Sequence, residues 1–328
     1  MTLATTGEIV KQAVATERAV FAFNVITLEH AEAVIAGAER VDSDVLLQVS
    51  ERAIGFHQGR LEPLLRACAS LAGPARVRVA LHLDHFQDIA LAEQGIQAGK
   101  GLGVSSIMLD FARYPHSENV RLTREFSIRA HAEGLWVEAE LGEIGGKDGA
   151  HAPGMRTDPS EARDFVFKTG VDALAVAVGS SHAMTSRDAE LDLSLIRQLA
   201  AAVPVPLVLH GSSGVSDAMI RAAIVAGIRK VNVGTALNIA FTEVIRGFLA
   251  NNPEISDPRT YLREGREAIS QTVADLCGLV GTLPRAQIPA LPIIAGGPNG
   301  SGTSDDCTDS TTVHTFDRSD IAKPQLGA

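Results

Sequence analysis

Apolar runs that end abruptly in a polar residue recur eight times along this chain, and each is followed by a stretch with helical spacing. The clearest is Val77 to His85, VRVALHLDH. A strand alternates its faces, so His82 and Asp84 point the same way and His85 sits at the exit. Three ionisable groups at the end of a buried run are expensive to place. Alone, the stretch would read as a satisfied core histidine beside a helix-capping aspartate. The recurrence argues against that reading.

The other runs follow the same form. AVFAFN ends in Asn24, DVLLQVS in Ser50 and SSIMLD in Asp110. LWVEAELG puts Glu138 and Glu140 on one face. ALAVAVG leads into Ser180, Ser181 and His182, VPLVLHG ends at His210, and KVNVGT carries Asn232 and Thr235. Continuous Val, Leu and Ile runs suit parallel strands buried on both faces. The chain is 45% hydrophobic but only 4% aromatic, so its core is built from small and branched aliphatic side chains. These features predict a single α/β domain, a (β/α)₈ TIM barrel over residues 1–282. A doubly wound open sheet is the runner-up, but it binds ligands at a switch point, whereas here nearly every strand ends in a polar group. In barrels those C-terminal strand ends build the site. From Leu283 the chain turns rich in Pro, Gly, Ser, Thr and Asp without periodicity, which predicts a disordered tail over 283–328, with Cys307 and His314 as bystanders.

The net charge of −10, without a long basic run, argues against nucleic acid as a partner. No apolar run approaches membrane-spanning length. Cys68, Cys277 and Cys307 make neither a disulfide framework nor a metal knuckle. The first twenty residues read as an amphipathic helix rather than a signal peptide. The expectation is a reducing, cytoplasmic compartment.

His85, His182 and His210 exit the third, sixth and seventh runs. Three imidazoles converging on one barrel mouth suit a catalytic Zn²⁺ with an open coordination position. Asp84 reads either as an ion-pair partner or as a proton donor and acceptor beside a bound substrate. Glu140 is either a fourth ligand or a carboxylate that steadies one. Glu138 could equally hold a basic residue inside the barrel. His82 belongs to the core or supports a ligand, and His30, His57, His116, His131 and His151 read as structural. His210-Gly211-Ser212-Ser213-Gly214 is a small turn whose backbone N–H groups can cradle an anion, with Ser213 adding a hydroxyl. Asn232 and Thr235 would close the same site. Lys230 begins its strand, at the wrong end for a Schiff base.

HLDH, VEAELGEIGG, VAVGSSH, LVLHGSSG and KVNVGT, in that order, resemble the class II, zinc-dependent fructose/tagatose-bisphosphate aldolase family over roughly Ala22 to Arg263. The resemblance implies His85, His182 and His210 as zinc ligands, with Glu140 as an alternative metal ligand and Asp84 as the acid/base on the C4 oxygen. It implies Gly179, Gly211, Ser213, Asn232 and Thr235 around dihydroxyacetone phosphate and a monovalent cation, Na⁺ or K⁺, with Asn24 and Ser50 on the substrate side. It implies that Arg259, in Asp257-Pro258-Arg259, reaches the distal phosphate bound by a neighbouring subunit, hence a homodimer or homotetramer. Bottom-up, the same triplet is a helix start with a surface arginine. The sequence departs from the family at Phe86, where a small residue or histidine is usual, at Ala183, where glycine is usual, and at Lys147-Asp148-Gly149, where two glutamates are typical. Either Asp148, one methylene shorter, moves the C3 proton, or the loop carries a deletion and that base is missing. Gly234, where the fructose-specific subgroup often has aspartate, leans toward tagatose-type ketoses. Other phosphorylated keto-sugars, or a non-catalytic partner subunit on the same scaffold, are the alternatives.

Overall fold

The computed structural model describes residues 3–141, 156–180 and 187–281. Asp148, His182, the Gly145–Gly154 loop and the predicted tail lie outside the described residues. Helix α1 (Thr6–Ala15) precedes strand β1 (Val20–Asn24). Strand and helix then alternate as α2 (Leu28–Arg40), β2 (Val45–Ser50), α3 (Glu51–Phe56), α4 (Leu61–Ala72), β3 (Val79–Phe86), α5 (Ile89–Gly99), β4 (Val104–Leu109) and α6 (His116–Ala132). The series continues through β5 (Trp136–Glu140), α7 (Pro159–Thr169), β6 (Ala173–Ala175), α8 (Leu193–Ala202), β7 (Leu207–Leu209), α9 (Asp217–Ala226), β8 (Ile228–Val233), α10 (Thr235–Asn251) and α11 (Pro258–Gly281).

The strands are parallel and close into a barrel in chain order, β8 pairing back onto β1 with Phe21 opposite Val231. This is the expected TIM barrel. Among the described residues, no helix is long and apolar enough to cross a membrane.

Local chemistry sets the element starts. Ser50, Asp88, Asp158, Asp192 and Ser216 each accept a backbone N–H from the first turn of the helix they precede. Such caps are worth about 1 kcal/mol each. Thr5 and Glu8 form a reciprocal capping box on α1.

Alternation along the strands divides inside from outside. Phe21, Phe23, Leu47, Leu81, Leu83 and Val231 face the helix layer and are buried there. Inside, Val20, Ala22, Leu46 and Ala80 meet Ile9 and Val10 of α1, which closes the N-terminal end of the barrel. Met108, Ala173, Ala175 and Val208 fill the other half of that floor. Above it the lumen turns polar. Gln48, His82, Ser106, Glu138 and Lys230 are all fully buried.

The phase of β3 breaks at its end. His85 has φ +50°, a left-handed conformation that histidine adopts more readily than most side chains. The pairing with β4 shifts register between Leu83 and Phe86. Asp84 and His85 therefore both serve the barrel mouth. Phe86 turns outward, where its ring would lie 3.2 Å from a Cβ added at Gly95 of α5.

Helix α11 lies against α2 at Gly37, where an added Cβ would come 2.4 Å from the Ser270 carbonyl oxygen and 2.8 Å from Val273 Cβ. In an open helix Gly→Ala gains about 1 kcal/mol, whereas overpacking costs about 1–3 kcal/mol, and a backbone oxygen cannot swing aside. Gly37→Ala is expected to lower stability by about 1–2 kcal/mol, seen as a lower urea midpoint at unchanged slope. Gly247→Ala in α10, where nothing lies within 4 Å, is expected to raise the midpoint instead. Equal shifts for the two would contradict the packing described.

Candidate active site

The site is built where β1, β3, β4, β5, β7 and β8 end. His85 Nδ1 lies 2.9 Å from Asp110 Oδ2, just beyond β4. Asp110 also accepts from Gln87 Nε2 at 2.7 Å. His210, one residue past β7, has Nε2 2.9 Å from Glu138 Oε1 on β5. A ring nitrogen facing a carboxylate carries the proton, which leaves the other nitrogen's lone pair available. Those remaining nitrogens, His85 Nε2 and His210 Nδ1, face one another at 3.0 Å with the rings at 81°. A carboxylate oxygen of Glu140 joins them, all three ligand atoms lying within 4.8 Å of one another. Among the described residues this is the one cluster of three such groups.

These two nitrogens lie at hydrogen-bonding distance, where a proton or a metal ion can stand between them. A set of two imidazoles and one carboxylate is what a first-row divalent ion takes, so the donors present fit such an ion.

Burial disfavours a charged His85, but the Asp84, Asp110 and Glu140 carboxylates outweigh it and raise its pKa to about 10. Burial would raise the Asp110 carboxyl. The His85 hydrogen bond and charge outweigh that and hold it well below the usual carboxylate range. The carboxylates around His85 thus favour positive charge at the place a cation would take.

Beneath this cluster runs a second network. Lys230 Nζ lies 2.7 Å from Glu138 Oε2 and 2.7 Å from Asn232 Oδ1. Lys230 is the third residue of β8, and its side chain rises into the lumen under His210. The expectation that it stands at the wrong end of the barrel is therefore corrected. Its ammonium is committed to an ion pair, which does not suit it to attack a carbonyl. Glu138 holds the basic residue inside the barrel, as its place on the strand suggests. Asn232 Nδ2 is also 3.0 Å from His210 Nε2. His82 Nδ1 meets Ser106 Oγ at 2.8 Å, and burial, then the Lys230 charge, push its pKa well below the usual range. It is a neutral residue of the barrel interior.

Asp84 is buried, with Oδ2 accepting from Asn24 Nδ2 at 2.8 Å. Asn24 in turn accepts from Gln48 Nε2 at 2.9 Å. Asp84 Oδ1 has no hydrogen-bond partner among the described residues. The chain Gln48–Asn24–Asp84 thus fixes one carboxylate oxygen and leaves the other buried without a partner among the described residues. Gln48 escapes notice in the sequence because it sits mid-strand in DVLLQVS, without the strand-exit signal.

The turn expected to cradle an anion is short. Gly211 has φ +64° and starts a short 3₁₀ turn over Ser212–Gly214. Ser213 Oγ accepts from Ala236 N–H at the start of α10, so its own hydroxyl proton is free to donate elsewhere. Thr235 is the first residue of that helix. At Gly179, φ +123°, a Cβ would meet the Glu190 carbonyl oxygen at 2.3 Å. Ser50 caps α3 and pairs in register with Asp84. Arg259, at the start of α11 with its side chain 90% exposed, bonds only Asp257 among the described residues and is not brought to the mouth. His182 and Asp148 lie outside the described residues. His30, His57 and His131 have structural partners in Thr27, the Ile26 carbonyl and Asp172.

Residues 4–283 match the family model for class II fructose-bisphosphate aldolase. The chain is 32% identical to the YdjI aldolase of Escherichia coli K12, with a TM-score of 0.73 over 85% of this chain and 98% of that one. It is 31% identical to a structure from Coccidioides immitis provisionally named a fructose-1,6-bisphosphate aldolase, with a TM-score of 0.74 over 84% and 96% of the two chains. Fructose-bisphosphate aldolase of Campylobacter jejuni, at 23% identity and a TM-score of 0.73 over 87% and 97%, shares the fold.

The raised His85 pKa sets a pH dependence. An unfolded histidine titrates near about 6.5, so the charged His85 stabilises the metal-free fold below that pH, and this stability is lost as pH rises toward 10. Metal uptake runs the other way, because a cation displaces the proton. Divalent-metal affinity is expected to rise about tenfold per pH unit between roughly pH 6 and 8, with about one proton released per ion by titration calorimetry in buffers of different ionisation enthalpy. A pH-independent affinity would contradict this protonation state.

Proposed function

Because the chain belongs to the class II fructose-bisphosphate aldolase family, we propose that it is a zinc-dependent lyase. It splits a ketose 1,6-bisphosphate into dihydroxyacetone phosphate and glyceraldehyde 3-phosphate, and catalyses the reverse condensation. The observation that carries this reading is the pair of consecutive residues Asp84 and His85, one a buried carboxylate whose Oδ1 has no partner among the described residues and the other a nitrogen donor of the cation cluster.

His85, His210 and Glu140, with His182, would hold the zinc ion, which would supply Lewis acidity to the substrate's carbonyl. Asp84 Oδ1 takes the C4 hydroxyl proton while Asn24 holds Oδ2 in place. The C3–C4 electron pair passes to C3 and into the C2 carbonyl, and glyceraldehyde 3-phosphate leaves. Asp148 returns a proton to C3, with a reach one methylene shorter than the family's glutamate.

The C1 phosphate sits among Gly179, Gly211, Ser213, Asn232 and Thr235. The N-terminus of α10 adds the favourable end of its dipole, and the same residues would hold Na⁺ or K⁺. Arg259 serves the distal phosphate of a neighbouring subunit in a homodimer or homotetramer, in the cytoplasm.

Two observations bear on the sugar. A Cβ at Gly234 would lie 2.7 Å from Asn24 Oδ1. The space that an aspartate would need there is filled by the amide that holds Asp84, which favours a tagatose-type substrate. Phe86 faces the helix layer, so it gives no reason to look to a different keto-sugar.

Coupled triose-phosphate assays are expected to show cleavage of tagatose 1,6-bisphosphate faster than fructose 1,6-bisphosphate, abolished by EDTA and restored by zinc. Asp84→Asn is expected to lower kcat about 10²–10⁴-fold at unchanged zinc content. A zinc-loaded protein that cleaves neither sugar would sink the bisphosphate reading, and an undiminished Asp84→Asn variant would remove Asp84 from the chemistry.

A further inference from the structure

We infer that Asn119 and Thr123 of α6 form a positioning pair that holds Glu140 in the cation cluster from outside the barrel. Glu140 is the last residue of β5. The pairing of β5 with β4 ends one residue earlier, at Leu109 opposite Ala139. On the other side, Glu140 opposite Ala175 is the final pair with β6. The carbonyls of Glu140 and Leu141 thus stand at the end of the ladder in a buried setting, where an unmet acceptor costs about 1–3 kcal/mol.

Asn119 meets both carbonyls. Its Nδ2 donates to the Glu140 oxygen at 3.2 Å and to the Leu141 oxygen at 2.7 Å. Thr123 Oγ1, one helical turn on, donates to Asn119 Oδ1 at 2.9 Å. Both side chains are fully buried. The amide has one possible orientation, because two carbonyls require its nitrogen and a hydroxyl donor requires its oxygen. Asparagine and threonine are weak helix formers, and burying them costs more unless every polar atom is paired. Here the pair clamps the backbone that carries the Glu140 carboxylate to His85 and His210. Neither residue touches that cluster, so the pair acts through the main chain.

The proposal rests on the metal reading of the site, and its test reads zinc affinity directly, by competition with a chromophoric chelator, on the full chain. Asn119→Ala is expected to bind zinc about tenfold or more weakly. Thr123→Val is expected to shift affinity in the same direction, and Thr123→Ser, which keeps the hydroxyl, to restore it. In a Glu140→Ala background, Asn119→Ala should cost no further affinity, because the group it positions is gone. A purely structural role would add equally in both backgrounds.

Undiminished zinc affinity in a folded Asn119→Ala variant, or full additivity with Glu140→Ala, would overturn the proposal. Should Asn119→Ala fail to fold, Thr123→Val against Thr123→Ser decides, and equal affinities overturn it. A wild-type protein without zinc affinity would overturn this role together with the metal reading. One that binds zinc but cleaves no bisphosphate would sink the substrate alone and leave this role standing.

Discussion

The ion pair between Lys230 and Glu138 at the centre of the barrel is the interaction on which the site depends. Both side chains are fully buried. Removing two charges from water costs several kcal/mol per ion, recovered only where geometry and further hydrogen bonds are good. Both conditions are met. Lys230 also bonds Asn232, and the second oxygen of Glu138 bonds His210. The pair therefore fixes which nitrogen of His210 carries a proton, and so which one faces His85. The apolar floor below, closed by α1, keeps this arrangement away from water at the other end. The chemistry at the mouth is a consequence of charge placed one layer beneath it.

A parallel chain of neutral groups does the same for Asp84. Gln48 orients Asn24, and Asn24 occupies one oxygen of Asp84. Fixed hydrogen-bond donors set the carboxylate before any substrate arrives, which is the form of preorganisation that lowers a barrier without reorganisation during reaction. The two networks meet at the adjoining residues Asp84 and His85.

Much of this could be read from the chain. The strand exits at Asn24, Ser50, Asp84, Asp110, Glu140 and His210 were visible because a polar residue ending an apolar run breaks a simple pattern. The barrel followed from their number. What alternation could not give was the direction of Phe86, since one left-handed residue, His85, reverses the phase beyond it. Nor could it give the reach of Lys230, whose long side chain carries its charge well away from its place in the strand. Gln48 and Asn119 were hidden for a different reason. Each acts by bonding across elements far apart in sequence, and nothing local marks such a partner. The extent of α11 was likewise unannounced beyond its Asp257-Pro258 start, because its course is set by packing against α2 and α10.

The left-handed turn at His85 also separates two kinds of motion. The cation-binding groups of His85, Glu140 and His210 come from three different strands, so their spacing breathes with the barrel. Asp84 and His85 are joined by one peptide unit, whose Cα atoms stay about 3.8 Å apart whatever the barrel does. Fluctuation of the barrel can change the spacing of the three strands without changing the main-chain spacing of Asp84 and His85, so this pair keeps the most constant separation at the mouth.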